Sequence, residues 1–175
     1  MIDFYKKDNF LNEEEIFFIN DELFSNKARF PLYYHKDQCE NDGNPFLSHG
    51  IILRGSGEIN STYHGFFMNI VNRFIFEETN LKPIKFLRSV VNFSFPFKGD
   101  PVSHVDHDED HYQILVYLND SSGPTIIFNN DNSIFKKITP KQGRVIAFNK
   151  TLHSASSPKI KDKVRAVFVT TFTTK

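Results

Sequence analysis

His104 and Asp106 stand two residues apart in SHVDHDEDHYQILVYLND, just ahead of a run rich in β-forming residues. In an extended chain that spacing points both side chains to one face, so an imidazole nitrogen and a carboxylate oxygen can reach one cation. A second histidine from a distant strand would complete a set of two histidines and one carboxylate, which leaves coordination positions open and suits non-haem Fe(II). His-x-Asp alone is weak evidence, because so short a pattern recurs by chance. It does recur here as His35-Lys36-Asp37, inside loop-like YYHKDQCEND, where it reads as a surface pair. His107 and His111 crowd the same loop as His104. A shifted register would pair His107 with Glu109, but it would idle Asp106 and shorten the approach to the next strand, so both are expected to be loop histidines. His49 and His64 read as packing or surface residues, with a substrate contact left open for His49.

The elements that must position this pair fall into two halves of one domain. Residues 1–83 read as helices and loops, and residues 84–175 as a β core. NEEEIFFINDELF (12–24) starts with Asn12 as a plausible N-cap and follows it with acidic residues that suit a helix N-terminus. Ile16, Phe17, Ile19 and Phe24 are its expected buried stripe. Prolines and glycines make residues 31–60 mostly loop or short strand. A second helix is expected over about 61–80, with Phe66, Ile70, Val71 and Phe74 inward. From residue 84 onward, short Val-, Ile-, Phe- and Thr-rich runs alternate with turn residues, giving candidate strands at 84–95, 112–119, 125–129, 133–138, 144–149 and 164–172. Such spacing indicates a sandwich or jelly roll.

Bulk properties narrow the function. The chain has 175 residues, 39% of them hydrophobic, enough for one core, and 20 Phe with no Trp mean that Phe supplies most bulky packing. Lys+Arg and Asp+Glu balance at 21 each, which argues against constitutive nucleic-acid binding. Lys136, Lys137, Lys141, Lys150, Lys159, Lys161 and Lys163 read as solvated surface lysines. A single cysteine, Cys39, and an N-terminus without the layout of a signal peptide lead us to expect a reducing, cytoplasmic setting. No apolar run approaches the roughly 18 residues that would indicate a membrane span.

Downstream of the His-x-Asp pair the chain reads LVYLND (115–120), SGPT (122–125), PKQGRVIAFN (140–149), LHSASSP (152–158) and KVRAVF (163–168). In this order the sequence resembles the prolyl-4-hydroxylase-like branch of the 2-oxoglutarate and Fe(II)-dependent dioxygenases, most closely its short bacterial and phage-type members. The resemblance covers about residues 86–175. Ser122 departs from it, standing where a glycine is usual, with Pro124 at the variable position.

The resemblance implies a mainly β, α+β architecture: a double-stranded β-helix of the jelly-roll or cupin-like kind, with N-terminal helices packed on its outer sheet. It implies Fe(II) held by His104, Asp106 and His153, and 2-oxoglutarate bound through its 1-carboxylate and 2-keto oxygen. O2 would take the remaining position and ascorbate would serve as an accessory reductant. The outcome would be hydroxylation of an organic substrate, with succinate and CO2 as coproducts. The distal carboxylate of 2-oxoglutarate needs a buried cation, for which Arg165 is the first candidate and Lys163, on the same strand face, the alternate. Tyr117 is expected to donate its hydroxyl to that carboxylate. Thr125, Asn92 and Ser94 are expected to line the pocket. A groove between residues 31–60 and 99–111 could take an extended peptide bearing proline, while other peptides, amino acids, nucleobases and small metabolites stay open as substrates. The competing reading is a cupin-like metal-binding jelly roll that binds a ligand without turnover.

Overall fold

The computed structural model describes residues 1–38, 42–99 and 102–174. Cys39, on which the expected reducing environment rests, lies outside them. The elements in chain order are β1 (Phe4–Lys7), α1 (Glu13–Ile19) continued by a π turn (Asn20–Phe24), β2 (Tyr33–His35), β3 (Phe46–Ile52), α2 (His64–Glu78) and β4 (Pro83–Ser94). They are followed by β5 (Tyr112–Tyr117), β6 (Thr125–Phe128), β7 (Ile134–Ile138), β8 (Val145–Asn149), β9 (His153–Ala155) and β10 (Arg165–Thr174), with a short 3-10 turn (Ile160–Asp162) before β10.

Two antiparallel sheets form the jelly roll, the larger in the order β1-β8-β5-β10-β4-β3-β2 and the smaller in the order β7-β6-β9. Alternation along the strands sorts the two faces of the large sheet. Val91 and Phe93 of β4, Ile114 and Val116 of β5 and Ala166 and Phe168 of β10 face the helices, whose Phe67, Ile70, Val71 and Phe74 are fully buried against them. Phe67 stacks on Phe168 with ring centroids 4.6 Å apart. The opposite face, carrying Leu115, Tyr117, Ile146, Phe148 and Val167, closes on Ile127 and Ile138 of the small sheet. Among the described residues no helix is long and apolar enough to cross a membrane.

The expected strands of the second half all form, with no end moved by more than two residues. In the first half, Asn12 caps α1 through a capping box: the Glu15 amide donates to Asn12 Oδ1 and the Asn12 amide donates to Glu15 Oε2, both at 2.9 Å. Phe17 is not part of the buried stripe; it is 73% exposed. The inward face runs through Ile16 and Ile19, and the wider π turn then brings Glu22 and Leu23 inside, which leaves Phe17 on the solvent side. Phe67, absent from the expected stripe of α2, is as fully buried as Phe74. Strands β1 and β9 were not anticipated, being four and three residues long.

This packing predicts a contrast between two phenylalanines. Phe67→Ala should destabilise the protein by about 3–5 kcal/mol and Phe17→Ala by less than about 0.5 kcal/mol, read as shifts in urea unfolding midpoint at constant slope.

Candidate metal and anion site

Between the sheets lies a cavity of ≈ 90 Å³, lined among others by Arg88, Asn92, His104, Asp106, Gln113, Thr125, His153 and Arg165. His104 and His153 reach it as directly opposed residues. The His104 amide donates to His153 O at 2.8 Å and the His153 amide returns the bond to His104 O at 3.0 Å. In an antiparallel ladder such a pair sends both side chains to the same face, and the two rings stand 4.7 Å apart. Asp106 follows two residues later. Each of the three side chains offers a ligand atom within 4.8 Å of the others.

The protonation of this cluster is legible from its contacts. His153 Nδ1–H donates to Thr151 O at 2.9 Å, with the Gln113 amide 3.3 Å from the same nitrogen. Burial pushes the His153 pKa down to about 4, against the pull of Asp106, so the ring is neutral at pH 7 and its Nε2 carries a lone pair. That lone pair faces Asp106 Oδ2 across 3.6 Å. Burial works to raise the Asp106 pKa, but the positive field of His153, Arg88, His104 and Arg54 outweighs it and holds the carboxyl below its usual value. Because His153 is neutral at pH 7, the charge that counts there comes from the arginines. Arg54 donates to Asp106 O at 2.6 Å and to Asp106 Oδ1 at 3.4 Å, and Arg88 Nη1 stands 3.8 Å from the same oxygen. The arginines thus take Oδ1 and leave Oδ2 to the histidines. Two acceptors facing each other with no hydrogen between them repel, and a cation placed between them converts that repulsion into attraction. Two imidazoles and one carboxylate therefore fit a first-row divalent metal such as Fe(II).

A second imbalance lies at the Arg165 end of the cavity. Arg165 is 4% exposed, and its Nε donates to Gly123 O and its Nη2 to Thr125 Oγ1, both at 2.9 Å. Burial lowers its pKa, the Tyr117 ring is 5.9 Å from its guanidinium, and among the described residues no carboxylate forms an ion pair with it. A buried cation without a counterion is costly, so an anion fits here. Thr125 Oγ1 accepts from Arg165 and also from the Tyr117 hydroxyl at 2.8 Å. With both lone pairs used, its own O–H remains for an acceptor in the cavity. Since Thr125 pairs with Ala155 while Ile127 pairs with His153, the two ends lie two residues apart along the β6–β9 ladder, roughly 7 Å.

Several expectations change. Lys163 does not share the face of β10. It caps the 3-10 turn at φ 60°, exposed and outside the cavity wall, so it is removed from the candidates for the carboxylate. Tyr117 spends its hydroxyl on Thr125 and does not line the cavity, so it can act only through that threonine. Asn92 lines the cavity with a buried Oδ1 that has no hydrogen-bond partner among the described residues, whereas Ser94 is buried outside its wall. Ser122 is accommodated: its amide donates to Asp162 Oδ2 at 2.7 Å and its hydroxyl accepts from the Lys159 amide at 2.9 Å. Gly123 meets the tighter constraint, since a Cβ there would stand 2.3 Å from Ser156 O. His107 bonds Thr171 Oγ1 at 2.8 Å, His111 bonds Glu109 O at 2.9 Å, and His35 bonds Ser48 Oγ at 2.7 Å. His49 packs among Phe30 and Tyr33, bonding Ser61 Oγ at 2.8 Å, away from the cavity. Arg54, Arg88 and Gln113 were not anticipated. Arg88 had a signal, being a charge in period two with Asn92 on one strand; Arg54 had none, as its contact spans distant parts of the chain.

Solved structures share this architecture over nearly the whole chain. A prolyl hydroxylase from Trichoplax adhaerens, in complex with a hypoxia inducible factor oxygen degradation domain peptide fragment, superposes with TM-score 0.65 at 16% identity, covering 97% of this chain and 82% of that one. A Pseudomonas putida prolyl-4-hydroxylase gives 0.60 at 16% identity over 98% and 92% of the two chains. A 2OG-Fe(II) oxygenase family member from Burkholderia pseudomallei gives 0.61 at 14% identity over 82% and 74%. The fold is that of the 2-oxoglutarate and Fe(II) oxygenases. No protein-family model matches the sequence, and no curated protein matches it significantly, so the likeness to these oxygenases lies in the fold.

If the three side chains hold one metal, His104→Ala and His153→Ala should each weaken Mn(II) or Co(II) binding by roughly a hundredfold or more in calorimetric titrations. His35→Ala and His107→Ala should change it little. Metal binding lost in His107→Ala but kept in Asp106→Ala would shift the register of the site.

Proposed function

We propose that this protein is an Fe(II)- and 2-oxoglutarate-dependent dioxygenase that hydroxylates an organic substrate. The observation that carries the reading is the pairing of two unmet charges in one cavity: a cluster of lone pairs that lacks a cation and, at the other end, a guanidinium that lacks an anion. A short dicarboxylate that chelates a metal at one end and meets Arg165 at the other answers both. An iron held by His104, Asp106 and His153 supplies O2-dependent decarboxylation of 2-oxoglutarate to succinate and CO2, coupled to substrate hydroxylation.

The chain's own residues bind, orient and exclude water. His153 is held as the Nδ1–H tautomer by Thr151, so Nε2 is ready to ligate without losing a proton. Arg54 and Arg88 fix which oxygen Asp106 turns inward. Arg165 offers a planar fork to the distal carboxylate, and the Thr125 hydroxyl adds a donor. Leu115, Val167 and Val169 form the apolar side of the cavity, and a ligand that displaces water against them strengthens these polar contacts. Ascorbate would act as an external reductant.

For the prime substrate we favour a polypeptide, with peptidyl proline as the residue modified. The cavity of ≈ 90 Å³ has no room for a macromolecule, so a polypeptide would present only the modified side chain to it. The peptide held by the Trichoplax enzyme supports this class.

Anaerobic titration of 2-oxoglutarate into the Fe(II) protein, followed by metal-to-ligand charge-transfer absorption, tests the reading. Arg165→Ala should weaken 2-oxoglutarate by about a hundredfold or more, since it leaves a buried carboxylate unpaired at a cost of about 3–5 kcal/mol. Arg165→Lys should recover part of this, because charge returns without the planar fork. Tyr117→Phe should weaken it by less than about tenfold, because one hydrogen bond to Thr125 is lost and no charge. Full 2-oxoglutarate affinity in Arg165→Ala would refute the assignment.

A further inference from the structure

Outside the cavity, and sharing Arg88 with it, lies an open groove of ≈ 420 Å³ along β3 and β4. Tyr33, His35, Arg54, Asn60 and Arg88 are among its walls, and none of the described residues lining it is acidic. In a chain with formal net charge +0 this is a local concentration of positive charge. Arg54 and Arg88 share a single carboxylate, Asp106, and both approach the same oxygen of it. Among the described residues, two guanidiniums to one carboxylate leave one positive charge uncompensated. His107 turns its Nε2 away from this pair, 2.8 Å from Thr171 Oγ1.

Arg88 is the more telling of the two. Its side chain is 26% exposed, and among the described residues its only ion pair is the 3.8 Å approach to Asp106 and its guanidinium forms no hydrogen bond. The five N–H donors of that guanidinium are thus unmet by the described residues at the junction of groove and cavity. Arg54, 47% exposed, uses part of its fork on Asp106 and keeps donors toward the groove. An oxyanion bridging the two forks would meet the unmet donors and the excess charge together.

Building on the dioxygenase reading, we propose that this groove binds an anionic group of the prime substrate, a carboxylate or a phosphate, and so places the neighbouring carbon at the mouth of the cavity. In a polypeptide substrate that group is an acidic or phosphorylated side chain near the residue modified. Long-range attraction from the groove also speeds capture of such a substrate, an effect that falls with salt.

Nuclear magnetic resonance of the arginine Nε–H signals, with acetate and methyl phosphate as probes, tests this on the intact chain. It is run metal-free and again with Zn(II) and saturating 2-oxoglutarate, so that Arg165 is occupied. Saturable shifts at the Arg54 and Arg88 Nε–H, and at the backbone amides of the groove residues Ser48, Gly50 and Ser89, are expected in both states; the amide titrations should give binding weakened about tenfold or more in the double variant Arg54→Gln, Arg88→Gln and partly retained in Arg54→Lys, Arg88→Lys. Tighter acetate identifies a carboxylate substrate, and tighter methyl phosphate a phosphorylated one. Absent shifts, or equal binding by the parent and the folded glutamine or lysine variants, overturn the proposal. Loss of 2-oxoglutarate affinity in Arg88→Gln with anion binding at Arg54 unchanged also overturns it, by assigning Arg88 to the cosubstrate. Binding is read without turnover and without metal, so a protein that makes no succinate yet binds these anions would fail the dioxygenase reading and leave the groove standing.

Discussion

Two backbone hydrogen bonds between His104 and His153 govern the rest of the site, because they hold two imidazoles side by side on the inner face of the jelly roll. Neither residue has much strand around it: His153 opens the three-residue β9, and His104 forms an isolated bridge. What fixes them is the ladder behind, where β9 pairs with β6 and places His153 opposite Ile127, a fully buried residue. A one-residue slip of β9 would turn His153 outward and Ser154 inward, so the packing of Ile127 and the orientation of a candidate ligand are set together.

Burial then gives these side chains their chemical character. His153 is neutral because the interior opposes its charge, and this exposes the lone pair that a metal needs. Arg165 cannot respond in the same way, since a guanidinium stays protonated in proteins, so its burial creates a standing demand for an anion. The Asp106 carboxylate is kept ionised by arginines that reach it from β4 and from the turn after β3. Each group is costly in isolation. Their costs are complementary, and ligands of opposite charge relieve them at opposite ends of one cavity.

Much of this could be read from the residues, for reasons that are local. Val-, Ile-, Phe- and Thr-rich runs bounded by turn residues located the six strands of the second half, and Asn12 with the glutamates after it marked the helix start, because both patterns are written within a few consecutive positions. Short strands such as β1 carry no such pattern; Phe4–Lys7 is a strand because β8 offers it an edge. Phe17 looked inward under a regular 3.6-residue period, which the π turn after Ile19 breaks. Lys163 appeared to share the face of Arg165 only if the strand had already begun, and the left-handed residue at that position denies it. Tyr117 was placed on the correct face, yet its hydroxyl was already engaged by Thr125, a contact between strands that no single segment reveals.

The central claim is that one cavity joins two opposite unmet charges, which makes metal and dicarboxylate binding thermodynamically linked. Calorimetric titration of 2-oxoglutarate into the Zn(II)-loaded and the metal-free protein, with glutarate as a comparison that keeps both carboxylates but lacks the keto oxygen, measures that linkage directly. The account predicts that metal tightens 2-oxoglutarate by about tenfold or more, a coupling of about 1.4 kcal/mol, and tightens glutarate distinctly less. Equal 2-oxoglutarate affinity with and without metal would contradict it.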